Sequence, residues 1–346
     1  MSSYYSPKEF VGFIGAETTV GTEGGTLNAI QSDSLANITY NEAKTLEKRA
    51  NSIGRLLTSG DLESHEPGAV HEFSSSGILT KTLADILLPN VLGVALGSSP
   101  DTIVIPKEYN PDAYDYASSG GAHTSLSCGI AGPTSLAAAS DLVLTGCVTD
   151  SLTLSANANE MGGRFSFDMT AKTRTKASST MASKTIQDYT NDYLYLSDCT
   201  VSKLNGVDTI IDSFSLTIEN PISFQGNKVV STDKGLAEKY LRAVPSLKIT
   251  GSMTVKYDDD TEEFIAGARN LTEYSGAAKS FLNLSNDDTG AGETPFDATS
   301  GFGFHIPNGI ITEATRDESD YMRLNLSFEA VDKGGDFDFF EFLRGN

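Results

Sequence analysis

The segment Ser151-Leu152-Thr153-Leu154-Ser155-Ala156-Asn157 alternates small polar with apolar residues, and Arg164-Phe165-Ser166-Phe167-Asp168-Met169-Thr170 does the same shortly after it. Side chains of a strand point alternately to its two faces, so each segment reads as a β-strand with one face buried and one polar. The same period sets Phe214, Leu216 and Ile218 against Ser215, Thr217 and Glu219. It sets Leu247, Ile249, Met253 and Val255 against Lys248, Thr250, Ser252 and Thr254, and Leu324, Leu326 and Phe328 against Asn325, Ser327 and Glu329. The polar faces carry hydroxyls, amides and carboxylates with few cations. The fold class is therefore mainly β.

Helical periods are scarce. Ile78, Leu79, Leu83, Ile86 and Leu87 form a stripe over 78–88, and Pro89 is expected to end it. A second helix is expected over 261–270, with Thr261 as N-cap and Glu262 and Glu263 in its first turn. A third is expected over 236–244, stopped by Pro245.

The chain repeats internally. Asp33-Ser34-Leu35 matches Asp212-Ser213-Phe214, and Thr58-Ser59-Gly60-Asp61-Leu62 matches Ile249-Thr250-Gly251-Ser252-Met253. A helix follows each, and each half closes on a pair of strands. The order strand, strand, helix, strand, strand occurs twice, so the chain reads as two tandem copies of one β-rich domain. Competing alignments of the halves differ by one residue, which requires a β-bulge or a shifted match. The expected boundaries are a Gly/Thr-rich N-terminal arm at 1–30, in which Val11 to Gly15 forms an edge strand, and domains at 31–175 and 176–332. Loops fall at 95–146 and 282–303, and an aromatic tail at 333–346. Phe337, Phe339, Phe340, Phe342 and Leu343 in that tail need a dock, on the chain's own core or on a neighbour. A contact between subunits is the expectation adopted.

At 346 residues, two domains fit better than one. Asp and Glu number 46 against 25 Lys and Arg, for a formal charge of −21, which leaves too little basic surface for tight wrapping of duplex DNA. Hydrophobic residues at 39% suffice for packed cores and exclude wholesale disorder. Cys128, Cys147 and Cys199 are too sparse for a disulfide framework and lack metal-ligand spacing, so reduced thiols are expected. The first residues, MSSYYSPKEF, show no secretory signal, and the apolar stretch from Ala84 to Gly97 is too short for a membrane span.

Catalytic constellations are lacking. His65, His71, His123 and His305 have no further ligands in register, and neither a phosphate-binding Gly loop nor a Gly-x-Ser-x-Gly elbow occurs. The carboxylate clusters Asp258-Asp259-Asp260 with Glu262-Glu263, Asp287-Asp288 with Glu293, and Asp317-Glu318 with Asp320 read as solvated turns. No catalytic, cofactor-binding or metal-binding residues are expected, and no cofactor. The competing class is an acidic hydrolase on a β scaffold, with opposed carboxylates in a deep pocket.

Three stretches carry a family resemblance. They are Gly15-Ala16-Glu17-Thr18-Thr19-Val20-Gly21-Thr22; Gly146 to Ala156 running into Gly163 to Asp168; and Asp212 to Pro221 followed by Ile249 to Val255. With Ile306-Pro307 and Leu324 to Asp332, their order resembles the tail tube proteins of long-tailed bacteriophages over nearly the whole chain. The Ser/Ala-rich 117–141 and Asp-rich 284–298 regions depart from it. The resemblance implies a tail-tube-type β-sandwich or half-barrel domain, here in two copies, each with a flanking short helix. It implies a virion protein of the tail, assembled in the bacterial host cytoplasm, whose rings stack into a tube. Implied partners are further copies of the chain, the tape-measure protein, tail terminator and baseplate proteins, and genomic DNA in transit, with no membrane. Two domains per chain favour a trimeric ring with pseudo-sixfold symmetry over a hexamer. Another virion part, a distal tail or decoration protein, is the alternative.

If the paired strands form the inner wall, the lumen is lined by Ser59, Asp61, Glu63, Thr153, Ser155, Asn157, Ser166, Asp168, Thr217, Glu219, Thr250, Ser252, Asn325, Ser327 and Glu329. The alternative is that these faces meet solvent on the outside, because alternation defines two faces without saying which is central.

Overall fold

The computed structural model describes residues 7–18, 21–39, 45–48, 62–65, 70–93, 101–105, 125–132, 142–160, 162–173, 186–187, 192–225, 228–230, 233–236, 239–242, 247–274, 281–285, 302–318, 321–331 and 340–344. Only the backbone is described at 45–48, 62–65, 101–105, 223–225, 228–230, 233–236, 239–242 and 343–344. In the first half, β1 (Val11–Ala16), β2 (Leu27–Ala29) and β3 (Asn37–Thr39) precede a hairpin of β4 (Thr45–Lys48) and β5 (Leu62–His65). Then come β6 (His71–Ile78), α1 (Lys81–Leu92), β7 (Asp101–Ile105), β8 (Leu126–Ala131), β9 (Leu142–Asn157), β10 (Ser166–Thr173) and β11 (Ile186–Gln187).

The second half begins with β12 (Val201–Leu204), β13 (Val207–Asp208) and β14 (Ile211–Glu219). A long hairpin follows, with β15 (Ile222–Gln225) paired to β18 (Lys239–Arg242) and β16 (Lys228–Val230) to β17 (Asp233–Leu236). After it stand β19 (Lys248–Lys256), α2 (Glu263–Asn270), β20 (Glu273–Tyr274), β21 (Leu282–Ser285), β22 (Phe302–Ile306), β23 (Gly309–Asp317), β24 (Arg323–Ala330) and β25 (Phe340–Arg344).

Strand pairing exposes the repeat. In the first half the antiparallel order is β3-β6-β10-β9, with α1 after the second strand. In the second it is β14-β19-β24-β23, with α2 after the second strand. The two four-stranded units join because β9 pairs β14, from Asn157 opposite Ser213 to Ser151 opposite Glu219. Within these units the strand before the first helix is β6. Of residues 58–62, matched in the sequence to 249–253, Leu62 instead begins β5 of the separate β4–β5 hairpin, and 58–61 lie outside the described residues. The alternation of β6 is masked because Ser75 and Gly77 occupy inward positions between Phe73 and the strand end.

The helices differ from expectation in their limits. Thr80 caps α1, its Oγ1 accepting from the Leu83 N–H at 3.2 Å. Pro89 lies inside α1, where it removes only its own bond to the preceding turn, while buried Leu87, Leu88, Val91 and Leu92 hold the helix on. Gly93, left-handed at φ 72°, closes it. Glu262, not Thr261, occupies the N-cap of α2. Thr261 instead pairs reciprocally with Asp258, whose N–H donates to Thr261 Oγ1 at 2.9 Å while the Thr261 N–H donates to Asp258 Oδ1 at 3.1 Å. Residues 239–242, expected as helix, are strand β18, because Ile222–Gln225 offers a pairing partner.

Within the arm expected at 1–30, the strand expected at an edge is instead internal. β1 pairs β2 on one side and β8 on the other, with Phe13 and Ile14 fully buried. Likewise the loop expected at 95–146 contains β8, whose small residues suit burial on both faces: a β-carbon on Gly129 would strike the Phe13 ring and the Leu142 carbonyl. β9 leaves β8 and joins β10 and β14 by bending at Gly146, φ 65°.

A second sheet, β13-β12-β21-β22-β25-β7, lies over the apolar face of the main one. Phe302 meets Phe165 edge-on at 5.4 Å and Phe304 stacks with Phe214 at 5.9 Å. Phe281 meets Phe328 at 5.3 Å, and α1 adds Leu83, Leu87, Leu88 and Val91 to the same core. The C-terminal tail, expected to reach a neighbour, is β25 here, paired on both edges by β22 and β7. Phe340 and Phe342 are buried in the chain's own core, Leu343 lies on β25 by its backbone, and Phe337 and Phe339 lie outside the described residues. Among the described residues no helix is long and apolar enough to cross a membrane.

Candidate functional site

One face of the main sheet packs on the core, and the opposite face is a lattice of short polar side chains. Its central row runs Ser166, Ser155, Ser215, Ser252 and Ser327 across five strands, each directly opposite the next. The adjoining row runs Asp168, Thr153, Thr217, Thr250 and Glu329. On the other side run Asn157, Ser213, Thr254, Asn325 and Thr315. A row of one residue type across both units follows from their β9–β14 junction, which continues the register of each unit into the other.

Several of the hydroxyls pair with one another. Ser155 and Ser166 lie 3.0 Å apart, as do Thr153 and Thr217. Ser213 donates to Thr254 Oγ1 at 2.9 Å, which donates to Asn325 Oδ1 at 2.8 Å. Cross-strand Thr and Ser pairs of this kind stabilise a sheet by about 0.2–1 kcal/mol each.

Cations on this face are tied to carboxylates. Lys172 Nζ lies 2.7 Å from Asp150, Lys248 Nζ 3.4 Å from Glu329, and Arg323 Nε 2.5 Å from Asp212. At its end Lys256 Nζ lies 3.3 Å from Asp258. Burial opposes ionisation of Asp258, but Lys256 and the donors of Thr261 outweigh it and hold its carboxyl below the usual range. Arg164 stacks over the Tyr193 ring at 5.4 Å. Asp168 and Glu219 have no ion-pair contact among the described residues, so the face carries negative charge in excess.

Twelve of the fifteen residues expected on one polar face are brought together here: Thr153, Ser155, Asn157, Ser166, Asp168, Thr217, Glu219, Thr250, Ser252, Asn325, Ser327 and Glu329. Ser59 and Asp61 lie outside the described residues, and Glu63 lies opposite Glu47 in the separate β4–β5 hairpin. The face also includes Thr170 of β10, and Ser74 and Ser76 of β6, the last two of which a match of β6 to β19 would have found.

Away from this face, Glu17 is buried and accepts four hydrogen bonds. Ser127 Oγ at 2.8 Å and the Gly146 N–H at 2.9 Å donate to Oε1; the Gly21 N–H at 2.9 Å and Ser125 Oγ donate to Oε2. Burial pushes its carboxyl up, against the pull of these donors. The cage ties the end of β1 to β8 and to the bend of β9. Among the described residues no group of three or more His, Cys, Asp or Glu is placed to hold a metal ion. A family model described as phage tail tube protein matches residues 10–330 of the chain. A comparison with curated proteins finds no match.

Proposed function

The chain belongs to the phage tail tube protein family, and from that premise we propose that three copies close into a ring of six β units, and that rings stack into the tube of the virion tail. The observation that carries this reading is the β9–β14 junction. It joins the last strand of one unit to the first strand of the next, side by side and in register. Among the described residues the same two positions, β3 and β23, end the eight-strand run formed by the two units. β3 pairs only β6, and β23 pairs β24 while β20 covers only its Gly309 and Ile310. An exposed edge is a template for another strand. Repeating the internal junction between chains, β23 against the β3 of the next copy, closes the sheet into a barrel without inventing a new contact.

In that barrel the helices and the second sheet lie outside and the hydroxyl lattice lies inside. The lumen encloses the tape-measure protein during assembly and conducts genomic DNA at infection. Its paired cations and surplus carboxylates oppose close phosphate contact, screened over about 8–10 Å at physiological salt. Tail terminator and baseplate proteins close the two ends, and assembly takes place in the host cytoplasm.

Electron cryomicroscopy of the purified full chain tests this. Tubes whose rings have threefold symmetry, with two similar units per chain in the wall, are expected. True sixfold symmetry with one unit outside the wall overturns the trimer, and a chain that stays monomeric overturns the tube.

A further inference from the structure

Lys172, Lys248, Lys256 and Arg323, on the polar face or at its end, each lie against a carboxylate. Arg164 makes no ion pair among the described residues; its guanidinium lies over the Tyr193 ring, 5.4 Å from the centroid. Tyr193 is itself fixed, its hydroxyl donating to Gln31 Oε1 at 2.9 Å and Tyr195 meeting its ring edge-on. The backbone on either side of Arg164 is tied to the same segment. The Phe165 N–H donates to the Leu194 carbonyl at 2.8 Å, and the Leu196 N–H to the Gly163 carbonyl at 2.7 Å. A half-buried guanidinium is thus held in place with its fork of N–H donors unmatched by a carboxylate.

Arg164 lines a hollow of about 400 Å³ in the polar face. Ser215 and Ser252, neighbours in the serine row, share that lining, and among the described residues neither hydroxyl has a hydrogen-bond partner. The one carboxylate of the lining, Glu160, is exposed and accepts from the Asn157 amide at 3.3 Å. The second unit lacks the cation. Two residues before Ser327, where Arg164 precedes Ser166 in the first unit, stands Asn325, whose Oδ1 accepts from Thr254.

We propose that this hollow binds a phosphodiester group, with Arg164 as its charged donor and the Ser215 and Ser252 hydroxyls as neutral ones, and that the diester belongs to the DNA carried past it. A planar guanidinium fork matches two phosphate oxygens at once, and hydroxyls suit the remaining ones. The inference rests on the tube reading for the source of the phosphate, and it adds one point of grip per chain to a wall that otherwise repels DNA. So few contacts release few counterions, so the site slows the polymer without holding it.

The test has two arms. In the first, dimethyl phosphate is added to the purified full chain and its phosphorus NMR line width is followed. The wild-type chain is expected to broaden the line and Arg164→Gln to lose most of that broadening, while Arg269→Gln, on the exposed side of α2, keeps it. Ser215→Ala with Ser252→Ala leaves the Arg164 stack untouched and is expected to reduce the broadening as well. Broadening that survives Arg164→Gln overturns the site. Broadening of inorganic phosphate with none of the diester overturns DNA as the source. In the second arm, particles carrying Arg164→Gln, whose assembly shows that the variant folds, are expected to eject DNA roughly threefold faster at low salt and at the wild-type rate at high salt. An unchanged rate at low salt, with diester binding lost in the first arm, overturns the DNA contact and the luminal placement of this face together, and leaves the diester site standing.

Discussion

Phe328 lies directly across the sheet from Gly251, its ring filling the space where a β-carbon would stand. Phe167 likewise lies directly across from Gly77, third strand over second, in the other unit, although there the Gln31 carbonyl and Ile30 stand closest to where a β-carbon would be and the Phe167 ring lies 3.3 Å away. The next residues, Glu329 and Asp168, project from the polar face. The likeness of the two units therefore extends from strand order to a cross-strand Phe–Gly pair and to the placement of a carboxylate.

That packing makes the glycine a sensitive position. Gly251→Ala forces its β-carbon into the Phe328 ring and to 2.7 Å from the Ser215 carbonyl. The expected cost is about 1–3 kcal/mol in chemical denaturation. A change below about 0.5 kcal/mol, the usual range for surface sites, would show that the sheet yields freely there.

Glu17 faces donors alone. In Glu17→Gln an amide NH2 replaces one acceptor and meets the Gly21 or Gly146 N–H, at an expected cost of about 1–3 kcal/mol near pH 5. Because burial raises the native carboxyl above its ordinary 4.5, the folded state holds this proton more tightly than the unfolded chain. The contribution is complete below that ordinary value and is lost as pH rises through the raised one. The advantage of wild type over Glu17→Gln is thus expected to shrink with rising pH in urea titrations. A growing advantage would contradict the burial argument.

The thiols are expected to be inert. Burial, with Asp198 nearby, pushes Cys199 up to about 12, and Cys147 is pushed well up by burial and by Cys128 beside it. Little thiolate exists at neutral pH to attack a disulfide reagent. Ellman's reagent is expected to find no rapidly reacting thiol in the folded chain and three after denaturation. Fast release of even one equivalent would mean that its strand opens readily.

Alternation made β9, β10, β14, β19 and β24 legible in the sequence, because a half-buried strand sorts its residues by face. It failed for β8, which is buried on both faces and reads as Ser, Cys, Gly and Ala. It failed again for β6, where Ser75 and Gly77 replace core residues beneath Phe167 and its neighbours. The tail's phenylalanines pointed to burial, but composition carries no information on which chain supplies the partner. Cross-strand register was equally hidden, so the unbroken serine row emerged only from the pairing of the two units.

The polar face itself yields to a charge test. Asp168 and Glu219 lie on separate strands of the two units, without cationic contacts among the described residues, and the hydroxyls around them are paired to one another. Replacing both with Lys removes four negative charges' worth of difference per chain, and repeats around a closed ring. Exposed substitutions of this kind cost folding little, so particles carrying Asp168→Lys and Glu219→Lys are expected to assemble. Each new ammonium would offer DNA a phosphate contact whose counterion release favours binding. Ejection is therefore expected to slow severalfold at low salt and to recover as salt rises, measured as dye-reported DNA release from single particles. Thr272→Lys, at an exposed position just after α2 and away from this face, serves as the control for added charge. Unchanged ejection from assembled double-variant particles would place this face away from the channel.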